Sequence, residues 1–163
     1  MLIEQRLDAM GLYLPAPTQV PPEMVIAFEW VRVFEGRAYV AGHSAQAPDG
    51  QVVGPFGKVG RLGSEVSPKE AAVGARLATL SMLGSLKRAI GDLDRITAWL
   101  HIEAYVLAEP GFEHMTNVIN GCSELILGLF GPEVGGHSRT ATGVAATPLS
   151  CSVVLAAQVA IRD

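Results

Sequence analysis

From Thr140 to Ile161 the chain carries no charged side chain. That run is as long as the roughly 20 residues that cross a bilayer, so the segment either spans a membrane or is buried inside a folded protein. Its interior favours burial. Thr147-Pro148-Leu149-Ser150 is a turn signal, and Thr140, Thr142, Ser152 and Gln158 place polar groups on both sides of it. Two buried strands, Arg139 to Ala146 and Ser152 to Ile161, joined by a proline-containing turn, are the expected outcome. The second is apolar on both faces and should be covered on both.

The shortage of charge extends beyond this segment. Of 163 residues, 17% are charged and 49% hydrophobic, against roughly 25% charged in an average globular chain. A disordered chain needs the opposite balance, and the length suits one domain with a sizeable core. Twelve basic against sixteen acidic residues, net −4, argue against a nucleic-acid partner, because phosphate affinity is built from clustered Lys and Arg. A surface this apolar is expected to be hidden against copies of the same chain. Glu4 stands close to Met1 with no apolar segment beside it, so no secretory signal is read. Cys122 and Cys151 lack a CxxC spacing and read as reduced, buried thiols of a cytoplasmic protein.

Along the chain, residues 1–24 are Pro-rich and aperiodic (Pro15, Pro17, Pro21, Pro22) and read as an irregular N-terminal arm of a single domain. Trp30 to Phe34 and Arg37 to Gly42 flank Glu35-Gly36 as a hairpin. A Gly-rich connection follows from Ala47 to Gly63. Ser67-Pro68-Lys69-Glu70 then signals a capped helix start, with the helix running to Ile90 and stopped by Gly91. Ala71, Ala75 and Ala78 make a thin face that can lie close to a sheet. Ile96 to Val106 alternates as a strand, with Leu100, Ile102, Ala104 and Val106 on one face and Trp99, His101, Glu103 and Tyr105 on the other. Met115, Val118, Ile119, Cys122, Leu125, Ile126 and Leu129 form one helical face, ended by Gly131-Pro132. The order β-β-α-β-α-β-β predicts a two-layer α+β domain, a mixed sheet with two helices on one face.

Motifs with a defined chemistry are scarce. There is no GxSxG elbow, no HExxH, and Lys58 is followed by Val59, so the Gly54 to Gly63 repeat is not a Walker loop. His43, His101, His114 and His137 show no metal-ligand spacing, and no cofactor or metal site is read. Arg139 opens the charge-free stretch after Gly135-Gly136-His137-Ser138. A guanidinium entering so apolar a strand needs an anionic partner, which its planar fork suits. Otherwise it sits at the exposed strand start and solvates the sheet edge.

Several phrases occur together here. Phe112, Val118-Ile119-Asn120-Gly121-Cys122-Ser123, Phe130-Gly131, and Gly136-His137-Ser138-Arg139-Thr140-Ala141 follow one another in order. Gly91-Asp92-Leu93-Asp94-Arg95-Ile96 and Tyr39-Val40-Ala41-Gly42-His43 precede them. From Trp30 to Ile161 the chain resembles the RidA (YjgF) family, and more closely its longer branch with a chorismate-mutase-like fold.

The resemblance implies a homotrimer whose sheets enclose a central barrel, with clefts between subunits. It implies a small carboxylate or 2-imino acid as partner, gripped by Arg139, with backbone near Gly42 and Ala141 helping to hold it. Family deaminases hydrolyse enamines and imines to a 2-keto acid and ammonia, using a glutamate on the last strand to position water. Here that position is Val154. The chain is thus either a deaminase in which another residue serves or a non-catalytic binding or regulatory module. Glu103, Glu124 and His137 are the candidates to serve in place of the glutamate. A third reading follows the family's endoribonuclease label.

Overall fold

In the computed structural model, residues 2–61 and 63–163 are described; Met1 of the arm and Leu62 of the Gly-rich loop lie outside them. Where local chemistry is strongest, structure and sequence coincide. Ser67 Oγ accepts from Glu70 N at 3.1 Å and Glu70 Oε2 accepts from Ser67 N at 2.8 Å, a reciprocal capping box that opens helix α2 (Pro68–Ile90). Gly91, at φ 83°, ends it and donates to Lys87 O.

Strands β1 (Val31–Phe34), β2 (Arg37–His43), β3 (Ile96–Leu107), β4 (Ser138–Val144) and β5 (Val153–Ile161) form one sheet in the order β1-β2-β5-β3-β4. β3 and β4 are parallel and the other neighbours antiparallel. Helices α2 and α3 (Met115–Gly135) pack side by side over one face, giving the expected mixed α+β fold. Leu80, Leu83, Ile119 and Ile126 of the helices bury against Trp99, Ile102 and Leu155 of the sheet. Ala71, Ala75 and Ala78 are fully buried, and their small size lets α2 lie close.

The strands expected as a buried pair do not meet. β3 lies between β4 and β5, and the chain passes the end of β3 through a 3₁₀ turn (Pro148–Ser150) in which Leu149 and Ser150 adopt φ 57°. β4 is an edge strand with no fully buried residue, so burial within one chain does not account for the lack of charge after Arg139. β5 alternates: Val153, Leu155, Ala157 and Val159 are buried, while Val154, Ala156 and Ala160 are half-buried and Gln158 is exposed. One face of the sheet, carrying Tyr39, His101, Glu103 and Tyr105 beside these last residues, has no layer of its own chain over it.

Two further expectations need correcting. β3 has register irregularities between Ile96 and Ala98 and between Trp99 and His101, so its alternation breaks. Trp99 turns into the core against Phe130, and Leu100 is exposed. The arm is not wholly irregular, because α1 (Leu2–Ala9) buries Ile3 and Leu7. A helix of two turns is marginal alone; Arg6 Nη1 donating to Leu129 O and Lys87 Nζ pairing with Glu4 Oε1 at 2.6 Å dock it. The second helix is broken at Gly131-Pro132 as expected: Gly131 leaves the helical region at φ 76°, and a separate short turn follows to Gly135. No helix among the described residues is long and apolar enough to cross a membrane.

Candidate functional site

Arg139 is the second residue of β4 and lies opposite Ile102 of β3. Ile102 is a core residue, so Arg139 shares the helix-covered face and meets α3. Its Nη1 donates to Ser123 Oγ at 2.8 Å and its Nη2 to Thr116 O at 2.8 Å. Ser123 Oγ also lies 2.8 Å from His137 Nε2, and His137 Nδ1 lies 2.6 Å from Gly135 O. A carbonyl can only accept, so in the neutral ring Nδ1 carries the proton and Nε2 accepts from the serine hydroxyl. The oxygen of Ser123 is thereby turned toward the guanidinium. Gly135 O, His137, Ser123 and Arg139 form one directed chain.

This arrangement fixes the plane of a half-exposed guanidinium and uses two of its five N–H donors. Among the described residues no carboxylate lies within ion-pair distance of Arg139. An anchored, unneutralised fork is a ready partner for a carboxylate. Ala141 follows on the same face of β4, opposite Ala104, while Glu124 projects from α3 into solvent. Cys122 is not a nucleophile here. Burial pushes its thiol up to about 11, against the smaller opposing effects of Thr79 and Arg139.

Gly42 and Val154 lie elsewhere. A Cβ at Gly42 would stand 3.1 Å from Val154 Cγ1, so these two touch, at the edge of a cleft of about 200 Å³. β5 and β3 separate β2 from β4, and three strand spacings put Gly42 at least about 14 Å from Arg139. Val154 pairs with Tyr105, on the open face rather than the helix face. Within one chain the six sequence candidates therefore form two groups, Arg139, His137, Ala141 and Glu124 against Gly42 and Val154.

The cleft rests on a second chain of the same design. His43 Nδ1 lies 2.6 Å from Ala41 O, His43 Nε2 lies 2.8 Å from Ser85 Oγ, and Arg88 Nη2 donates to that Oγ at 3.2 Å. Ser85, Arg88 and Thr116 escaped the sequence reading, and Ser123 entered it only within a family phrase, because each joins a helix to another element and no local spacing marks such a contact. Burial pushes His43 down to about 4, with the Ala41 hydrogen bond opposing and the Arg88 charge assisting. The unfolded histidine titrates near 6.5, so between these values the unfolded chain binds a proton that the folded chain refuses. This contribution leaves stability intact above about 6.5 and removes it as pH falls toward 4. Urea unfolding of wild type and His43→Gln should show their stability difference narrowing by roughly 2 kcal/mol between pH 7 and pH 5. A difference independent of pH would mean that His43 takes up its proton equally readily in the folded and unfolded chains, so that burial does not hold it neutral.

Comparison with known proteins places this architecture. A family profile described as "YjgF/chorismate_mutase-like, putative endoribonuclease" matches residues 4–159. "Protein TCP17" of Trypanosoma cruzi is 36% identical over 162 residues, 99% of this chain and 95% of that protein. The crystal structure of Atu1372 from Agrobacterium tumefaciens, a protein of unknown function, is 31% identical with a TM-score of 0.84, covering 98% of this chain and 92% of that one. A "putative endoribonuclease" from Shewanella oneidensis is 25% identical with a TM-score of 0.87, covering 99% and 100%. The likeness takes in the arm, both helices and the whole sheet, and the chain belongs to the YjgF/RidA family.

Proposed function

We propose that this protein is a cytoplasmic, homotrimeric metabolite-binding protein. Its ligand is a small carboxylate, a 2-oxo or 2-imino acid, held between Arg139 of one copy and the Gly42–Val154 cleft of the next. The anchored guanidinium, with donors to spare and no acidic partner among the described residues, carries the reading. The uncovered sheet face and the edge strand β4, which carries no charge after Arg139, support the assembly, because apolar surface left exposed by its own chain often marks an interface. Sedimentation equilibrium and calorimetric titration with pyruvate and a larger 2-oxo acid test it. The expected result is a trimer at micromolar concentration that binds a 2-oxo acid; a monomer, or a trimer that binds neither pyruvate nor a larger 2-oxo acid, overturns it.

β5 contains no carboxylate, so water activation from Val154 is absent, and binding rather than glutamate-assisted hydrolysis is the function best supported. One observation favours a catalytic second reading. Tyr105, directly opposite Val154, donates its hydroxyl to Glu103 Oε2 at 3.0 Å, which sets a carboxylate two residues along the same open face. With Glu103 as general base, water adds to the imine carbon, the C–N bond breaks, and a 2-keto acid and ammonia leave. Rapid release of ammonia from 2-aminoacrylate, lost in Glu103→Gln, would establish that reading. RNA cleavage finds no support in a chain of net charge −4.

A further inference from the structure

The cleft at Gly42 has a chemical character that pyruvate does not use. Its wall comprises Met24, Ile26, Phe28, Trp30, Leu149 and Val154, with a volume of about 200 Å³. Apolar cavities of roughly 150 Å³ accept a benzene ring. Phe28 and Trp30 stand edge to face at 5.0 Å between centroids, and Trp30 lies 5.1 Å from the ring of His43, so the segment leading into β1 lays an aromatic row along one side.

Most polar groups of this wall are already engaged, the exception being the buried hydroxyl of Thr18, which has no hydrogen-bond partner. Both nitrogens of His43 are bonded, and Gln46 Nε2 donates to Gly50 O at 3.0 Å. Val154 contributes a methyl where a carboxylate would have made the floor polar. At the mouth, Val25 is 85% and Phe28 53% exposed, a concentration of unburied apolar surface in a segment without regular secondary structure.

We infer that the cleft receives an aromatic or branched-aliphatic side chain, so the ligand of this protein is a carboxylate with a bulky apolar tail rather than a two- or three-carbon acid. The inference rests on the reading of Arg139 as the carboxylate partner, to which it adds the class of the tail. Apolar wall and tail exclude water from each other, and the single fork of Arg139 takes the charged end. Val154 then acts in specificity, by keeping the floor of the pocket apolar.

The test compares phenylpyruvate, pyruvate and benzyl alcohol by calorimetry and by the two indole N–H signals of the ¹⁵N-labelled protein. Trp30 lines the cleft and Trp99 is buried in the core, so only Trp30 should respond. Phenylpyruvate should bind at least about tenfold more tightly than pyruvate, since a single methylene in an apolar pocket is worth that much. Phe28→Ala should reduce the preference. Equal affinities, or an unmoved Trp30 signal, would overturn the inference, the latter also being the result if a neighbouring copy fills the cleft. The two readings fail differently. Arg139-dependent binding of pyruvate with no preference for the phenyl group defeats the tail alone. A Trp30 shift with benzyl alcohol, with phenylpyruvate affinity unchanged in Arg139→Ala, keeps the pocket and defeats the carboxylate reading.

Discussion

Arg139→Ala is expected to weaken binding of a 2-oxo acid by about a hundredfold or more while leaving the protein folded. Charge-assisted hydrogen bonds contribute roughly 1.5–3 kcal/mol each. Losing a two-pronged contact therefore exceeds the roughly 2.8 kcal/mol that a hundredfold change represents. Arg139→Lys should recover little. One ammonium cannot reach both Ser123 Oγ and Thr116 O, the two anchors that hold the guanidinium plane, and it presents a point charge rather than a fork. Calorimetric titration of the three proteins, with thermal unfolding as a control for folding, decides the matter. Unchanged affinity in Arg139→Ala would remove Arg139 from the site.

A large effect on stability is expected at Gly121. A Cβ built there would stand 2.2 Å from Ala72 O and 3.0 Å from Ala72 C. Both are backbone atoms of α2, so no side chain can rotate away and the two helices must part. Overpacking of this kind costs about 1–3 kcal/mol, and rigid neighbours place Gly121→Ala at the upper end. At about 2–4 °C per kcal/mol for a domain of this size, Tm should fall by roughly 6–12 °C. Gly128→Ala on the same helix provides the opposite sign. Nothing lies within 4 Å of its Cβ position, so the gain in helix propensity, up to about 1 kcal/mol, should leave it neutral or stabilised. Equal melting temperatures for the two variants would show that the helices are free to separate.

These cases mark how far local chemistry reaches. The limits of α2 were legible because the capping box and Gly91 act over three or four residues of one segment. The final turn of α3 beyond Gly131 was not, because a glycine followed by proline ends most helices and nothing local marks the resumption. In β3, periodicity read Trp99 outward, and two register irregularities turned it inward. Such irregularities arise from pairing with β5, which lies far away in the chain. The site divides in the same way. Arg139 and His137 stood out as polar residues ahead of an apolar run, whereas Ser123, which joins them, showed only as part of a motif.

By itself, then, the sequence determined the kinds and order of the elements, the α+β class, the family, and the absence of a carboxylate from the last strand. All of these depend on residues near one another in the chain or on composition. The tertiary structure alone decided that β3 separates β4 from β5, that α1 docks through Arg6 and Lys87, and that Arg139 lies on the helix face, three strands from Gly42. The physical reason is that side-chain direction in a sheet depends on register, and register is set by partners on other strands. The charge-free stretch that first read as a buried pair became one central strand and one exposed edge, a distinction its composition does not contain.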